Sequence, residues 1–507
     1  MPGLVNARHP PVMDNRTFFR LFSKTAAVSN GRCSVKLLLP RAVPAFRLQI
    51  FERLHCMKLR KFRIPHEIIF IIEKIQKRGK KAYIVGGAVR DYLLGRSVAN
   101  DFDIATDADP QDIMRMFNRV VPTGIKHGTV TVLIGSHSVE VTTFRLEKGY
   151  SDSRRPDAVE FTHDLIEDLS RRDFTMNAIA YDISNASLID PFNGQVDIAM
   201  KTIRTVGNPL ERFSEDGLRP LRAVRFASQL GFSIQEETYT AISACVEAFK
   251  KVSWERIRDE LSKILLSPVP SVGLRLLEST GLMAHIIPEL LPGRNCQQKG
   301  MHVFDVLDHG FLTVDACMPD LELRLAALFH DAGKPFVKST DEQGIPTFYN
   351  HDKKSVELAA QALRRLKYPN DCIDTVCHLI ALHMFHYEDN WTDAAVRRFI
   401  AKAGEPYLER LFLLRLADGS ATTGIPADPR SLVPFRKRID AILTEQSALQ
   451  LKDLKISGND LMAAGIPKGP VIGKILHELL ETVLDDPSQN ERETLLKIAG
   501  KLKSKYL

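Results

Sequence analysis

Asp101 and Asp103 stand two apart in DFDIAT. On a strand side chains alternate, so both carboxylates face one side while Phe102 turns to the other, into a core. Carboxylates held side by side repel unless a divalent cation sits between them, and oxygen ligands of this kind suit Mg²⁺. Upstream, Gly86 and Gly87 separate AYIV from a helical stretch that carries Arg90 one turn in. A backbone bare of side chains can approach a phosphate there, and a helix N-terminus favours its negative charge. A metal beside a phosphate cradle is equipment for phosphoryl or nucleotidyl transfer. Taken alone, the aspartate pair equally suits a solvated surface pair beside an ordinary turn.

A second charged series lies in EDGLRPLRAVRFASQLGF, where Asp216, Arg219, Arg222 and Arg225 recur every three residues. On a helix these form one slowly winding ridge, and Leu218, Leu221, Val224 and Phe226 claim the opposite side for the core. The ridge is then free to line a cleft, although a run of this kind also suits a solvated face.

The elements that position these residues are mixed up to about residue 190. The pattern predicts a helix over 66–78, a strand at AYIV, a helix after the glycines, a strand at DFDIAT and a helix over 109–118. HGTVTVLIGSHSVEVTTFR reads as a hairpin, two alternating runs around Gly135 and Ser136. YSDSRRPDAVE, residues 150–160, has the charge and turn formers of a loop. From 210 onward the pattern is helical, interrupted at 290–300 and 339–352 by Gly, Pro and polar residues. The predicted organisation is an α/β head of mixed sheet and helices over 57–195, a helical neck over 196–285, a helical body over 286–450 and a helical tail over 451–507.

Length and charge bound the function. A chain of 507 residues exceeds one core, and it holds no apolar run of the roughly 18 residues that cross a membrane. Seven scattered cysteines without a CxxC pair argue against a disulfide framework or a zinc ribbon and fit a reducing cytoplasm. Residues 1–56 hold nine Lys and Arg against two acids, which is the whole of the net charge of +7. Nucleic-acid binding by the remainder must therefore come from charge segregated onto one face. The basic segment reads either as sequence upstream of a working start at Met57 or as a mitochondrial transit peptide, and in both cases it is excluded from the fold.

Four motifs follow one another: GG…R…DFDIAT, KHGTV…VEVTTFR, RRDFTMNAIAYD and EDGLRPLRAVRFA. In this order they resemble the bacterial-type (class II) tRNA nucleotidyltransferase and poly(A) polymerase family, and most of all its CCA-adding branch, over residues 57–507. The resemblance implies addition of C, C and A to the 3′ end of tRNA from CTP and ATP, with Mg²⁺. It implies a metal-binding pair at Asp101 and Asp103, with Glu140 of VEVTTFR as a third carboxylate. Gly87 and Arg90 would hold the triphosphate, Arg172 the nucleotide and Asp173 its ribose hydroxyl. Asp216 and Arg219, continued by Arg222 and Arg225, would read the base as a protein template. The chemistry is sound, because a carboxylate accepts from the exocyclic amine that C and A both carry.

The loop at 150–160 is similar to the one that full CCA-adding enzymes use to switch from C to A, which argues against a CC-only enzyme. An A-adding enzyme shares the motifs. Poly(A) polymerases carry a strongly basic strand where this chain has PTGIKHGTV.

MHVFDVLDHG, LAALFHDAGKP, FYNHDKKS, IALHMFH and LRLADGS resemble the HD metal-dependent phosphohydrolase superfamily. By that resemblance His302, His330, Asp331 and Asp418 would ligate a metal, with His351 and His383 near. Imidazole and carboxylate together suit a transition metal better than Mg²⁺. The same pattern also fits a helical body kept for packing, and a phosphohydrolase acting on RNA ends is the rival reading of the whole chain.

Overall fold

A computed structural model describes residues 62–96, 102–148, 158–445 and 448–506. Asp101, the segment 1–56 and most of the predicted loop at 150–160 lie outside them.

Helix α1 (His66–Gln76) repeats isoleucine at three- and four-residue spacing, and Ile68, Ile71, Ile72 and Ile75 are fully buried against the sheet. The strands are β1 (Ala82–Val85), β2 (Asp103–Thr106), β3 (Val120–Gly124), β4 (Thr129–Ile134), β5 (His137–Thr143), β6 (Arg145–Lys148), β7 (Ala158–Phe161), β8 (Ala180–Asp182) and β9 (Ser187–Ile189). Seven of them form one sheet in the order β3-β4-β5-β2-β1-β8-β9, with β2 and β5 parallel and the other pairs antiparallel. Helix α2 (Gly87–Leu93) follows β1 directly.

β3 was not anticipated from VVPTG. Its Pro122 is tolerated because β3 is the outermost strand, where a missing N–H interrupts no ladder on the open side. β6 and β7 pair with each other and bracket the 149–157 segment, so the head carries strand on both sides of the predicted loop.

The neck departs from the single helix expected over ERFSEDGLRPLRAVRFASQLGF. Two helices stand there, α3 (Pro209–Glu215) and α4 (Arg219–Leu230), and Asp216 lies in the turn between them. Pro220 sits in the first turn of α4, where its missing N–H costs nothing. A Cβ on Gly217 would lie 2.4 Å from the carbonyl oxygen of Ala248, so only glycine fits the turn. The apolar side of α4 matches expectation, with Leu218, Leu221, Val224 and Phe226 all buried. Helix α5 (Trp254–Leu265) packs along α4.

The body is built on α6 (Val306–Ala316), α7 (Leu321–Phe329), α8 (His351–Arg365), α9 (Asn370–Leu382) and α10 (Leu408–Thr423). One hydrophobic cluster runs from Phe62 in the head to Ile442 in the body. The last helices enclose a separate cluster around Leu461, Ile475, Leu479, Val483 and Leu495. No helix among the described residues is long and apolar enough to cross a membrane.

Candidate active site and a second cluster in the body

Backbone register brings the head carboxylates together. Asp103 is paired with Glu140 of β5 on one side and Val85 of β1 on the other, and Glu140 in turn with Thr131 of β4. The adjacent row reads Val130, Val141, Ile104 and Ile84, all buried. Paired residues project to the same side of a sheet, so burying the aliphatic row on one face sets Asp103 and Glu140 side by side on the other.

Gly86 is the close neighbour of this pair. Its backbone is left-handed, at φ +74°, and a Cβ there would lie 3.1 Å from Asp103 Oδ2 and 3.4 Å from Arg172 Nη1. The absent side chain lets a carboxylate and a guanidinium approach one point. Gly87 is less constrained, since its nearest neighbour would be Arg90 Nη2 at 3.6 Å. Two adjacent carboxylates beside a cradle that any Cβ would narrow are an oxygen donor set that fits Mg²⁺.

Arg90 donates from Nη1 to Asn177 Oδ1 at 2.9 Å and pairs with Asp91 at 3.0 Å. Asn177 donates onward to Asp173 Oδ1 at 3.1 Å, and Arg222 Nε donates to Asp173 Oδ2 at 2.8 Å. An unbroken chain thus links Arg90 to α4. Asp173 is buried, which by itself would raise its pKa, but the Arg222 guanidinium and the Asn177 amide bring it down to about 2. Sequence reasoning stopped at Asp173 and passed over Asn177, although the four-residue spacing within RRDFTMNA was a usable signal. Arg172 contacts Asp168 at 3.5 Å, and its buried Nε has no partner among the described residues.

The four residues expected to form one ridge go to different partners. Asp216 receives a two-pronged contact from Arg256 of α5, at 3.1 and 2.8 Å. Arg219 is buried and donates to the carbonyls of Arg212 at 2.9 Å and Arg171 at 3.0 Å, besides its ion pair with Glu215. Arg222 belongs to the Asp173 chain, and Arg225 pairs with Glu260 at 2.6 Å. The ridge is divided because Asp216 precedes the helix instead of lying on it.

In the body, six side chains from five helices or their ends converge. His309, His330 and Asp418 form one group, and Asp331, His351 and His383 a second. His309 Nε2 lies 3.2 Å from both His330 Nε2 and Asp418 Oδ1, and His351 Nε2 lies 3.3 Å from both His383 Nε2 and Asp331 Oδ1. Asp331 joins the groups, its Oδ2 being 3.3 Å from His330 Nε2 and 3.4 Å from His309 Nε2. Nδ1 of His330, His351 and His383 donates to the carbonyls of Ala327, Phe348 and Ile380, which aims each Nε2 inward.

His302, expected among the ligands, is not in either group. Its ring stands 5.0 Å from that of His309, which takes its place because α6 begins only at Val306 and carries His309 into the core. His351 and His383, expected only near the site, supply two of the three members of the second group.

Burial lowers the pKa of His383 to about 4 and, with Lys334 and His309 nearby, that of His302 to about 4. Burial acts the same way on His330, yet Asp331 and Asp418 outweigh it and hold the imidazole at about 10. Asp331 is buried and Asp418 half-buried, with Lys334 at 2.6 Å from the first and Arg415 at 3.3 Å from the second, and the imidazole and carboxylate donors of each group are of the kind that suits a divalent transition metal. Asp331, His383 and Asp418 line a pocket open to solvent together with Lys334 and Arg415. Paired metals in such a setting support hydrolysis of phosphoesters.

Three family models match the chain: "Poly A polymerase head domain" over 82–204, "Probable RNA and SrmB-binding site of polymerase A" over 231–293, and tRNA nucleotidyltransferase domain 2 over 339–499. A CCA-adding enzyme of Geobacillus sp. is 37% identical over 429 residues, covering 84% of this chain and 94% of the relative. A Bacillus stearothermophilus CCA-adding enzyme solved in complex with CTP is 32% identical with a TM-score of 0.66, over 87% of this chain and 98% of that one. The Thermotoga maritima CCA-adding enzyme solved with tRNA is 20% identical and shares the fold, with a TM-score of 0.52 over 90% of this chain and 98% of that one.

Proposed function

The chain belongs to the CCA-adding enzyme family, and from that premise we infer that it extends the 3′ end of tRNA with C, C and A taken from CTP and ATP, releasing pyrophosphate. The observation that carries the assignment of the site is the register that places Asp103 beside Glu140. With Asp101, these carboxylates would hold Mg²⁺, which when bound activates the attacking 3′-hydroxyl and neutralises charge on the triphosphate. Arg172, whose Nε lacks a protein partner among the described residues, and Arg90 orient the phosphates, with backbone room supplied at Gly86 and Gly87. Asp173 faces the ribose hydroxyl. It stays ionised across the working pH range because Arg222 and Asn177 outweigh its burial. Asp216 accepts from the base amine, while Arg219 fixes the turn that carries it. Arg225 anchors α4 to α5 through Glu260. The enzyme works in the cytoplasm, where the buried free thiols of Cys245, Cys296, Cys317 and Cys372 stay reduced.

The test is incubation with tRNA lacking its terminus, each nucleoside triphosphate singly and in combination, and Mg²⁺. CMP, CMP and AMP should be added, and UMP should not. Asp103→Ala should fall below a tenth of the wild-type rate with unchanged thermal unfolding. Retention of a tenth or more would remove Asp103 from the metal site.

The six-residue cluster favours a second, transition-metal site in the body, with His309, His330 and Asp418 on one ion and Asp331, His351 and His383 on the other. Equilibrium dialysis against Mn²⁺, Co²⁺ or Ni²⁺ should give binding that Asp331→Ala removes, because that carboxylate reaches both groups. CCA addition should persist in the same variant. Wild-type stoichiometry in Asp331→Ala would refute the site.

A further inference from the structure

Asp216 sits in extended backbone between two helices, at φ −132° and ψ 107°, so no helical geometry fixes its side chain. Three donors do so instead. The Leu218 N–H donates to Oδ1 at 3.0 Å, Arg256 Nη1 to Oδ1 at 3.1 Å and Arg256 Nη2 to Oδ2 at 2.8 Å. Oδ1 therefore takes two hydrogen bonds and Oδ2 one, which leaves an accepting lone pair at Oδ2. Arg256 reaches across from α5, 40 residues along the chain, and both side chains are mostly sheltered, at 26% and 18% exposure. The forked contact sets the carboxylate plane as well as its position.

We propose that Arg256 is a positioning residue for base selection, holding the Asp216 carboxylate so that Oδ2 meets an exocyclic amine and turns away nucleotides that present a carbonyl there. Cytosine N4 and adenine N6 donate, whereas uracil O4 and guanine O6 repel a fixed acceptor. A carboxylate free to rotate can withdraw from a carbonyl and let a water bridge the gap, which lessens discrimination. Losing the fork should therefore admit UTP more than it slows CTP. The inference rests on the reading of Asp216 as the group that meets the base.

The experiment measures kcat/KM for CTP and UTP on tRNA lacking its terminus, in the full chain, for Arg256→Ala, Asp216→Ala and the double variant. Thermal unfolding and tRNA affinity are followed in parallel. Arg256→Ala should lower the CTP to UTP preference at least tenfold, and the double variant should lower it no further than Asp216→Ala does. If Arg256 only braces the fold, kcat will fall for both nucleotides by one factor with the ratio unchanged, and that result overturns the inference. A ratio lowered by Asp216→Ala alone sinks the role of Arg256 and leaves the base reading standing. A ratio moved by neither variant sinks both. Should Arg256→Ala fail to fold, Arg256→Gln keeps much of the side-chain stem while losing the charged fork, and carries the same expectation.

Discussion

Replacing Gly86 by alanine perturbs the head at the point where its charged groups converge. The residue lies at φ +74° and ψ −136°, a conformation that costs an L-residue roughly 1–3 kcal/mol. The added Cβ would meet Asp103 Oδ2 at 3.1 Å, so the carboxylate has to yield by a few tenths of an ångström. Misplacing a reacting group by about 1 Å costs on the order of 100-fold in rate, and a shift a third as large corresponds to roughly tenfold or less. Gly86→Ala is therefore expected to slow single-turnover CMP addition about fivefold and to lower the melting temperature by a few degrees. Gly87→Ala is the control, because its Cβ would stand at an ordinary 3.6 Å from Arg90 Nη2 on helical backbone. It should stay within about twofold of wild type, with stability equal or slightly raised, since alanine favours a helix over glycine by about 0.5–1 kcal/mol. Rapid-quench kinetics with radiolabelled CTP would measure both. Wild-type rate in Gly86→Ala, or a greater loss in Gly87→Ala, would refute the argument from close approach.

Two further outcomes follow from groups placed above. Asp173 has a folded pKa of about 2 against 3.8, worth roughly 2 kcal/mol that is fully present above about pH 4 and lost as pH falls toward 2; Asp173→Asn should remove that acid-side decline in urea unfolding, and an unchanged slope would contradict it. Lys468, Lys474, Lys497 and Lys501 are all exposed in the tail, so removing residues 451–507 should weaken tRNA binding and flatten its dependence on salt; undiminished affinity in a filter-binding titration would exclude a tail contact.

The sequence announced the head where its periodicity was strong. AYIV, the glycine-led helix and the hairpin around Gly135 and Ser136 stand where alternation and turn chemistry put them. VVPTG was missed because a proline reads as a strand breaker until the strand is known to lie at an edge. Glu140 was singled out without its register, since parallel pairing with β2 is settled by how the sheet closes and not by any local signal. The turn at Asp216 was hidden by a three-residue charge spacing that continues across it, and Gly217 gains its meaning only from Ala248, far away in the chain. In the body, His302 and His309 were both in view in MHVFDVLDHG. Choosing between them required knowing that the helix begins at Val306. Arg256 carried no local mark at all, because its importance lies wholly in a partner on another helix.

The paired rows of the central sheet bear on how this head tolerates change. The carboxylates at 103 and 140 are aligned by strand pairing and by the aliphatic packing of Ile84, Ile104, Val141 and Val130 behind them, and not by the segment over 107–119 that leads from β2 to β3. That segment can be lengthened or shortened in descendants of this sequence without unsettling the pair, so long as β4, β5 and β2 still zip to the same partners. Conversely, a substitution wholly out of reach of substrate, such as Ile104→Gly, could disarm the protein by letting the strands slip one step, which would send one carboxylate through to the far face. Lineages of such a head are therefore expected to drift freely in their loops while their most silent interior positions stay still.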